Sequence, residues 1–323
     1  MEKTKAAFAA VVGRPSVGKS TLVNKLCGEK VAIVSTVPQT TRNSIRGIVN
    51  REQGQVVFVD TPGRHKSERK FNKKLTDVSG RAAAESDIIL YVTDASRAPG
   101  GEEADIAAFL APQADKVVVA INKIDIDEDC GGYDRIAAFL AENIPGIGAD
   151  RIHKISAING DGLEELLSAI FSIAPAVDPF YGEEYYTDQE VDFRIAEIIR
   201  EQAINRLRDE LPHSLYVDIA DAQFTDASAL HDGVSPDGGL ETDSLQAETK
   251  PKLWVRAFII VERESQKGMV VGKGGSMIKA IRLAALKELR NIFDWKIELD
   301  LRVKTGKDWR HNDGVLRRLF RNE

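Results

Sequence analysis

Gly13-Arg14-Pro15-Ser16-Val17-Gly18-Lys19-Ser20 follows a short apolar run ending in Val11-Val12 and precedes a helical pattern. It fits G-x-x-x-x-G-K-[ST] in the strand-to-helix context that this motif requires. Glycines let a backbone wrap around phosphates, whose charge is met by convergent N–H groups, by a helix N-terminus and by the Lys19 ammonium. Ser20 would hold Mg²⁺ through its hydroxyl, with Thr21 beside it in the same phosphate-binding turn. An isolated match of this kind also arises as an ordinary glycine-rich turn, so the surrounding chain decides. From Ala7 to Ile173 short β-branched runs alternate with longer amphipathic ones, the pattern of a mostly parallel sheet flanked by helices. Strands are expected at Ala7–Val12, Ile45–Asn50, Gln55–Asp60, Ile88–Thr93, Lys116–Asn122 and Ile152–Ser156, giving an α/β domain.

Three further motifs fall at the ends of those strands, where open α/β sheets bind ligands. Asp60-Thr61-Pro62-Gly63 places a carboxylate where it can hold the Mg²⁺ shell and a glycine beside a γ-phosphate. Asn122-Lys123-Ile124-Asp125 supplies a carboxylate that can accept from both N1–H and the 2-amino group of guanine, donors that adenine does not present together. Ser156-Ala157-Ile158 would bring a backbone N–H near guanine O6. Alone, each motif is an ordinary turn; the four in this order are specific.

On these motifs residues 7–173 resemble a GTPase of the translation-factor-related class. Gln39-Thr40-Thr41-Arg42-Asn43 is similar to the first switch of the Era family. The resemblance implies that one of the paired threonines, Thr41 in preference to Thr40, closes over the γ-phosphate and binds Mg²⁺ with Ser20 and Asp60. Lys19, Thr41 and Gly63 are then the expected catalytic set. Two positions depart from the family pattern. Arg64 follows the Asp-x-x-Gly motif where Ras-like enzymes carry a water-orienting glutamine and the Era family a hydrophobic residue. Ser16 stands where the family usually has an asparagine associated with a monovalent cation, and its shorter reach puts potassium-assisted hydrolysis in question. Slow intrinsic hydrolysis through a positioned water is expected, with no general base to name.

The second half begins with Ala174 to Thr187, a stretch with two prolines and clustered aromatics and acids that reads as a linker. A helix is expected over Glu190–Leu211, strands at Leu215–Ala220, Leu253–Glu262 and Lys296–Lys304, a helix at Ser276–Asn291 and a basic helix at Trp309–Phe320. Gly272-Lys273-Gly274-Gly275 is a G-x-x-G turn with Lys279 and Arg282 soon after it. Such a turn can clamp nucleic-acid backbone, because glycines permit close approach of phosphates and lysine adds charge. The order of elements, and the stretch Ile260 to Lys267, resemble the KH module that closes the Era family. This implies a smaller α+β, type II KH domain over 188–323, after a GTPase domain over 1–173.

Charge supports that division. The whole chain of 323 residues carries −6, yet residues 250–323 carry +9, with eighteen Lys and Arg against nine Asp and Glu. Residues 221–249 hold seven acids and no Lys or Arg, and read as a mobile, solvated hairpin insertion; a sharper hypothesis is that their charge competes with RNA for the basic face. Two distant cysteines signal neither zinc nor disulfide, and the five histidines lack metal spacing. Trp254, Trp295 and Trp309 read as core or interdomain residues, with base stacking open to Trp309. No apolar run reaches the roughly 20 residues of a membrane span, so a cytoplasmic protein is expected. The family likeness implies 16S rRNA and the 30S subunit as partners, assembly of that subunit as the function, a monomer, and room for peripheral membrane association. The main rival is a nucleotide-gated RNA-binding protein with negligible turnover. A P-loop kinase is disfavoured by Asp125, and a tandem GTPase by the single phosphate loop.

Overall fold

Gly54–Asp60, Ile88–Asp94 and Val117–Asn122 are buried along their whole length, as strands covered on both faces must be. They belong to a six-stranded sheet in which β1 is Lys5–Val12, β2 Ile45–Arg51, β3 Gly54–Asp60, β4 Ile88–Asp94, β5 Val117–Asn122 and β6 Ile152–Lys154. The computed structural model describes residues 4–35, 37, 40–62, 80–127, 131–209, 211–212, 214–225 and 251–319. The chain packs as two units, Met1–Gln189 with Trp309–Glu323, and Glu190–Asp308.

The sheet order is β2-β3-β1-β4-β5-β6, parallel except for β2. The chain moves to one side of β1 first and then to the other, so the order reverses there and opens a crevice at the strands' C-terminal ends. Helices α1 (Lys19–Cys27), α2 (Gly101–Leu110), α3 (Gly132–Asn143) and α4 (Leu163–Ile173) accompany the sheet. Tyr91 and Val119 pack with Ile106 and Leu110 of α2 and with Ile136 and Leu140 of α3. β6 ends at Lys154, which leaves Ser156 in a turn beyond the expected strand.

The stretch after α4 lies against the first unit along the edge strand β2. The Ile48 N–H donates to Tyr186 O at 2.9 Å, and Thr187 Oγ1 donates to Arg46 O at 2.8 Å. Gln55, fully buried, accepts from the backbone of Phe180 and Tyr181 and donates to Tyr181 O. Covering an edge in this way occupies backbone groups that would otherwise pair with another strand.

The second unit runs α5 (Val191–Ile204), β7 (Leu215–Thr225), β8 (Lys252–Val261), α6 (Glu264–Val271), α7 (Ser276–Ile292), β9 (Lys296–Thr305). β8 is central, antiparallel to β7 and parallel to β9. Leu253, Val255, Ala257, Ile259 and Val261 of β8 join one core with Ile195 and Ile199 of α5 and Ile281, Ala285 and Leu289 of α7.

Several expectations are corrected. The helix expected to reach Leu211 stops at Ile204, and Leu207 turns back into the core. β7 runs through Thr225, into the stretch expected to be a loop, because its residues after a bulge at Ile219/Asp221 pair with Lys252–Arg256. Residues 226–249 lie outside the described set. An additional helix, α6, precedes the glycine turn; Gln266 starts it by accepting from the backbone N–H groups of Glu262 and Arg263. The basic C-terminal helix is a short 3-10 turn, Trp309–His311, followed by α8 (Asp313–Leu319). Trp309 is 1% exposed and packs in the first unit, so stacking on a base is not open to it.

Candidate functional site

The phosphate loop leaves β1 at the reversal of strand order. At Gly18 the backbone is left-handed with φ 99°, and a Cβ would stand 2.4 Å from Asn122 Nδ2. Only glycine meets both demands. Lys19 Nζ donates to the carbonyls of Gly13 and Arg14, each at 3.0 Å, which curls the loop around its own ammonium. Burial brings Lys19 down to about 8, against the opposing pull of Asp60. Burial likewise pushes the Asp60 carboxyl up, opposed by Lys19, Ser20 and Thr41.

The three residues expected to hold Mg²⁺ converge. Ser20 Oγ donates to Asp60 Oδ2 at 2.6 Å and lies 3.0 Å from Thr41 Oγ1, which is 3.4 Å from the same carboxylate oxygen. Among the described residues, Asp60 Oδ1 is buried without a hydrogen-bond partner. Two hydroxyls and one carboxylate, with an orphaned carboxylate oxygen, fit a hard cation that takes its remaining ligands from phosphate and water. Thr61 and Pro62 are buried, and Thr61 Oγ1 donates to Val11 O at 2.8 Å, which ties the end of β3 to β1. Gly63 and Arg64 lie outside the described residues.

Across the crevice, Asn122 is a strut. Its Nδ2 donates to Val17 O at 2.8 Å and its Oδ1 accepts from Ala157 N at 2.9 Å. Of the backbone donors in Ser156-Ala157-Ile158, the Ala157 N–H thus has an internal acceptor. Lys123, at φ 68°, reaches Asp94 with Nζ 2.7 Å from Oδ2, and Ile124 follows half-buried. Burial alone would raise Asp94, but bonds from Lys123 and Ser96 outweigh it and hold the carboxyl low. Asp125 is exposed, and Ser156 Oγ donates to its Oδ1 at 2.6 Å. Ile158 is 70% exposed.

Two supports escaped the sequence reading. Asp94 is signalled by nothing beyond an acid at a strand end. Glu103 of α2 lies 2.8 Å from Arg14 Nε, both nearly buried, in an ion pair whose N–H is not aligned as a hydrogen bond. Glu103 also accepts from Gly100 N at the start of α2. Pro15 and the exposed Ser16, at φ 65°, complete the loop.

In the second unit, Gly272, Gly274 and Gly275 have φ of 75°, 60° and 77°. A Cβ at Gly272 would meet Met277 Cβ at 2.7 Å, whereas among the described residues nothing lies within 4 Å of one at the other two. Backbone handedness, more than space, requires glycine there. Lys273, Lys279 and Arg282 are exposed on and after the turn. Arg282 Nε donates to Leu299 O at 2.6 Å, so part of its fork is committed to β9.

Residues 8–123 match the family described as 50S ribosome-binding GTPase and residues 241–310 the KH domain family. Fold and site thus define a P-loop GTPase carrying a KH module. The GTPase Era of Treponema denticola is 44% identical over 96% of this chain and 97% of its own. A crystal structure of Aquifex aeolicus Era bound to GDP and aluminium fluoride aligns with TM-score 0.85 and 31% identity, over 98% of this chain and 99% of that one. A structure of Era with MgGDPNP and nucleotides 1506–1542 of 16S ribosomal RNA aligns with TM-score 0.85 and 32% identity, over 98% of each. The chain belongs to the Era family of GTPases and hydrolyses GTP. Among the described residues no helix is long and apolar enough to cross a membrane.

Proposed function

We propose that this chain is a cytoplasmic, monomeric GTP-driven switch that binds 16S rRNA through its KH module and assists assembly of the 30S subunit. The convergence of Ser20, Thr41 and Asp60 within 3.4 Å of one another carries the reading, because it gives a threonine of the first switch a direct connection to the phosphate loop. The exposed basic turn around Lys273 supports the RNA partner, as does the relative whose structure holds a 16S rRNA segment.

In this reading the loop from Gly13 to Thr21 cradles the phosphates, and Lys19 meets the charge that develops between the β- and γ-phosphates. Ser20, Thr41 and Asp60 hold Mg²⁺, which neutralises phosphate charge. Asn122, Lys123 and Asp125 hold and select guanine, with Ser156 orienting Asp125. A water oxygen bonds to the γ-phosphorus as its bond to the bridging oxygen breaks, giving GDP and phosphate. Lys273, Lys279 and Arg282 grip single-stranded RNA.

Fluorescence anisotropy with an RNA covering the 3′ end of 16S rRNA tests this. Tighter binding with a non-hydrolysable GTP analogue than with GDP is expected. The double change Lys273→Glu/Lys279→Glu should weaken binding and flatten its dependence on salt by about two units of slope. RNA affinity that ignores both the nucleotide and the two lysines would overturn the proposal.

A further inference from the structure

Trp309 stands four residues beyond the end of β9 in sequence, yet its indole is packed within the first unit at 1% exposure. The guanidinium of Arg42 lies 5.6 Å from its ring centroid, and that of Arg310 5.4 Å. Arg42 is itself only 6% exposed. A cation within about 6 Å of an indole face is held by the ring quadrupole, and more firmly when both are withdrawn from water. Thr41, Arg42 and Asn43 are consecutive buried residues in a stretch that belongs to no helix or strand, just ahead of β2. A segment with no backbone ladder of its own depends on side-chain anchors to keep one position. Arg42 is bonded directly to Thr41, whose hydroxyl lies 3.0 Å from Ser20 Oγ.

We propose that Trp309 is a positioning residue for GTP hydrolysis. It anchors Arg42, and through Arg42 it keeps the Thr41 hydroxyl within reach of Ser20 and Asp60. The inference rests on the reading of Thr41 as the residue that senses the γ-phosphate. It assigns part of the GTPase machinery to the C-terminal segment, beyond the KH strands in sequence. GDP makes no demand on Thr41 in that reading, so the anchor should matter to GTP and not to GDP.

The test measures Kd for a non-hydrolysable GTP analogue, Kd for GDP, and GTP turnover, all in the full chain. Trp309→Ala should weaken the analogue and slow turnover by roughly ten- to thirty-fold, the scale of a lost desolvated cation–π contact, with GDP affinity within about twofold. Trp309→Phe, which keeps an aromatic face, should restore most of the loss. Arg42→Gln, with Trp309 intact, should reproduce the selective loss, and it serves if Trp309→Ala does not fold. Equal weakening of GDP and the analogue would mark a structural role and sink the proposal, as would a Phe variant no better than Ala, or unchanged values. Thr41→Ala separates the two readings. If it leaves the preference for GTP intact, the reading of Thr41 fails; if it abolishes the preference while Trp309→Ala and Arg42→Gln do not, the anchor alone is refuted.

Discussion

Asn122 Nδ2 donates to the carbonyl of Val17 across 2.8 Å, joining the end of β5 to the phosphate loop 105 residues earlier in the chain. The bond is buried, and the other end of the same amide holds Ala157. Asn122→Ala would strand a carbonyl and an N–H, each costing about 1–3 kcal/mol. Weaker guanine-nucleotide binding together with a lowered Tm is expected. Calorimetry on the purified variant checks both, and a normal Tm with normal affinity would remove Asn122 from the strut role.

Asp125 is exposed with Ser156 holding one of its oxygens. Asp125→Asn replaces an acceptor with a donor opposite N1–H, so GTP affinity should fall on the order of a hundredfold while xanthine nucleotides gain. Competition between GTP and XTP for a fluorescent nucleotide reads the exchange directly.

The Arg14–Glu103 pair is nearly buried beneath the loop whose carbonyls hold Lys19. Removing one partner of such a pair leaves an uncompensated charge, at about 3–5 kcal/mol. Glu103→Gln should lower stability to urea by about that much, and Arg14→Met combined with Glu103→Gln by less than the sum of the singles. Strict additivity would show that the two side chains are not coupled.

Lys19 titrates near 8 in the nucleotide-free fold and at 10.5 when unfolded. Between those values the unfolded chain holds a proton that the fold does not, so the penalty on folding, full below pH 8, is relieved as pH rises from about 8 to about 10.5. Bound phosphates favour the charged amine, so nucleotide binding should take up a proton in that window. Titration calorimetry at pH 9 in buffers of different ionisation enthalpy measures it; heats independent of buffer would contradict the assignment.

Ser16 adopts φ 65°, a conformation that asparagine tolerates better than serine. Ser16→Asn should therefore be accepted without loss of stability. It should also confer several-fold stimulation of GTP turnover by potassium over sodium, an effect expected to be small in the parent chain.

The central strands of the first unit were legible because β3, β4 and β5 are buried apolar runs, and because four motifs mark the points where chain leaves sheet. Asp94 and Glu103 were not legible: an acid at a strand end or in a helical first turn is common, and only packing tells which one meets Lys123 or Arg14. The early stop of α5 at Ile204 was hidden for a similar reason, since apolar spacing continues past the point where Leu207 turns inward.

By itself the sequence determined the chemistry available at each point: glycines where the backbone must be left-handed, a lysine and hydroxyls for phosphate and cation, a carboxylate for guanine, and basic charge around a G-x-x-G turn. Tertiary structure decided which groups meet. It brought Ser20, Thr41 and Asp60 to one spot, committed Arg282 to a strand edge, and sent Trp309 to Arg42 rather than to a base. The reason is physical: local sequence sets backbone preference over a few residues, whereas burial and ion pairing depend on partners that are distant in the chain.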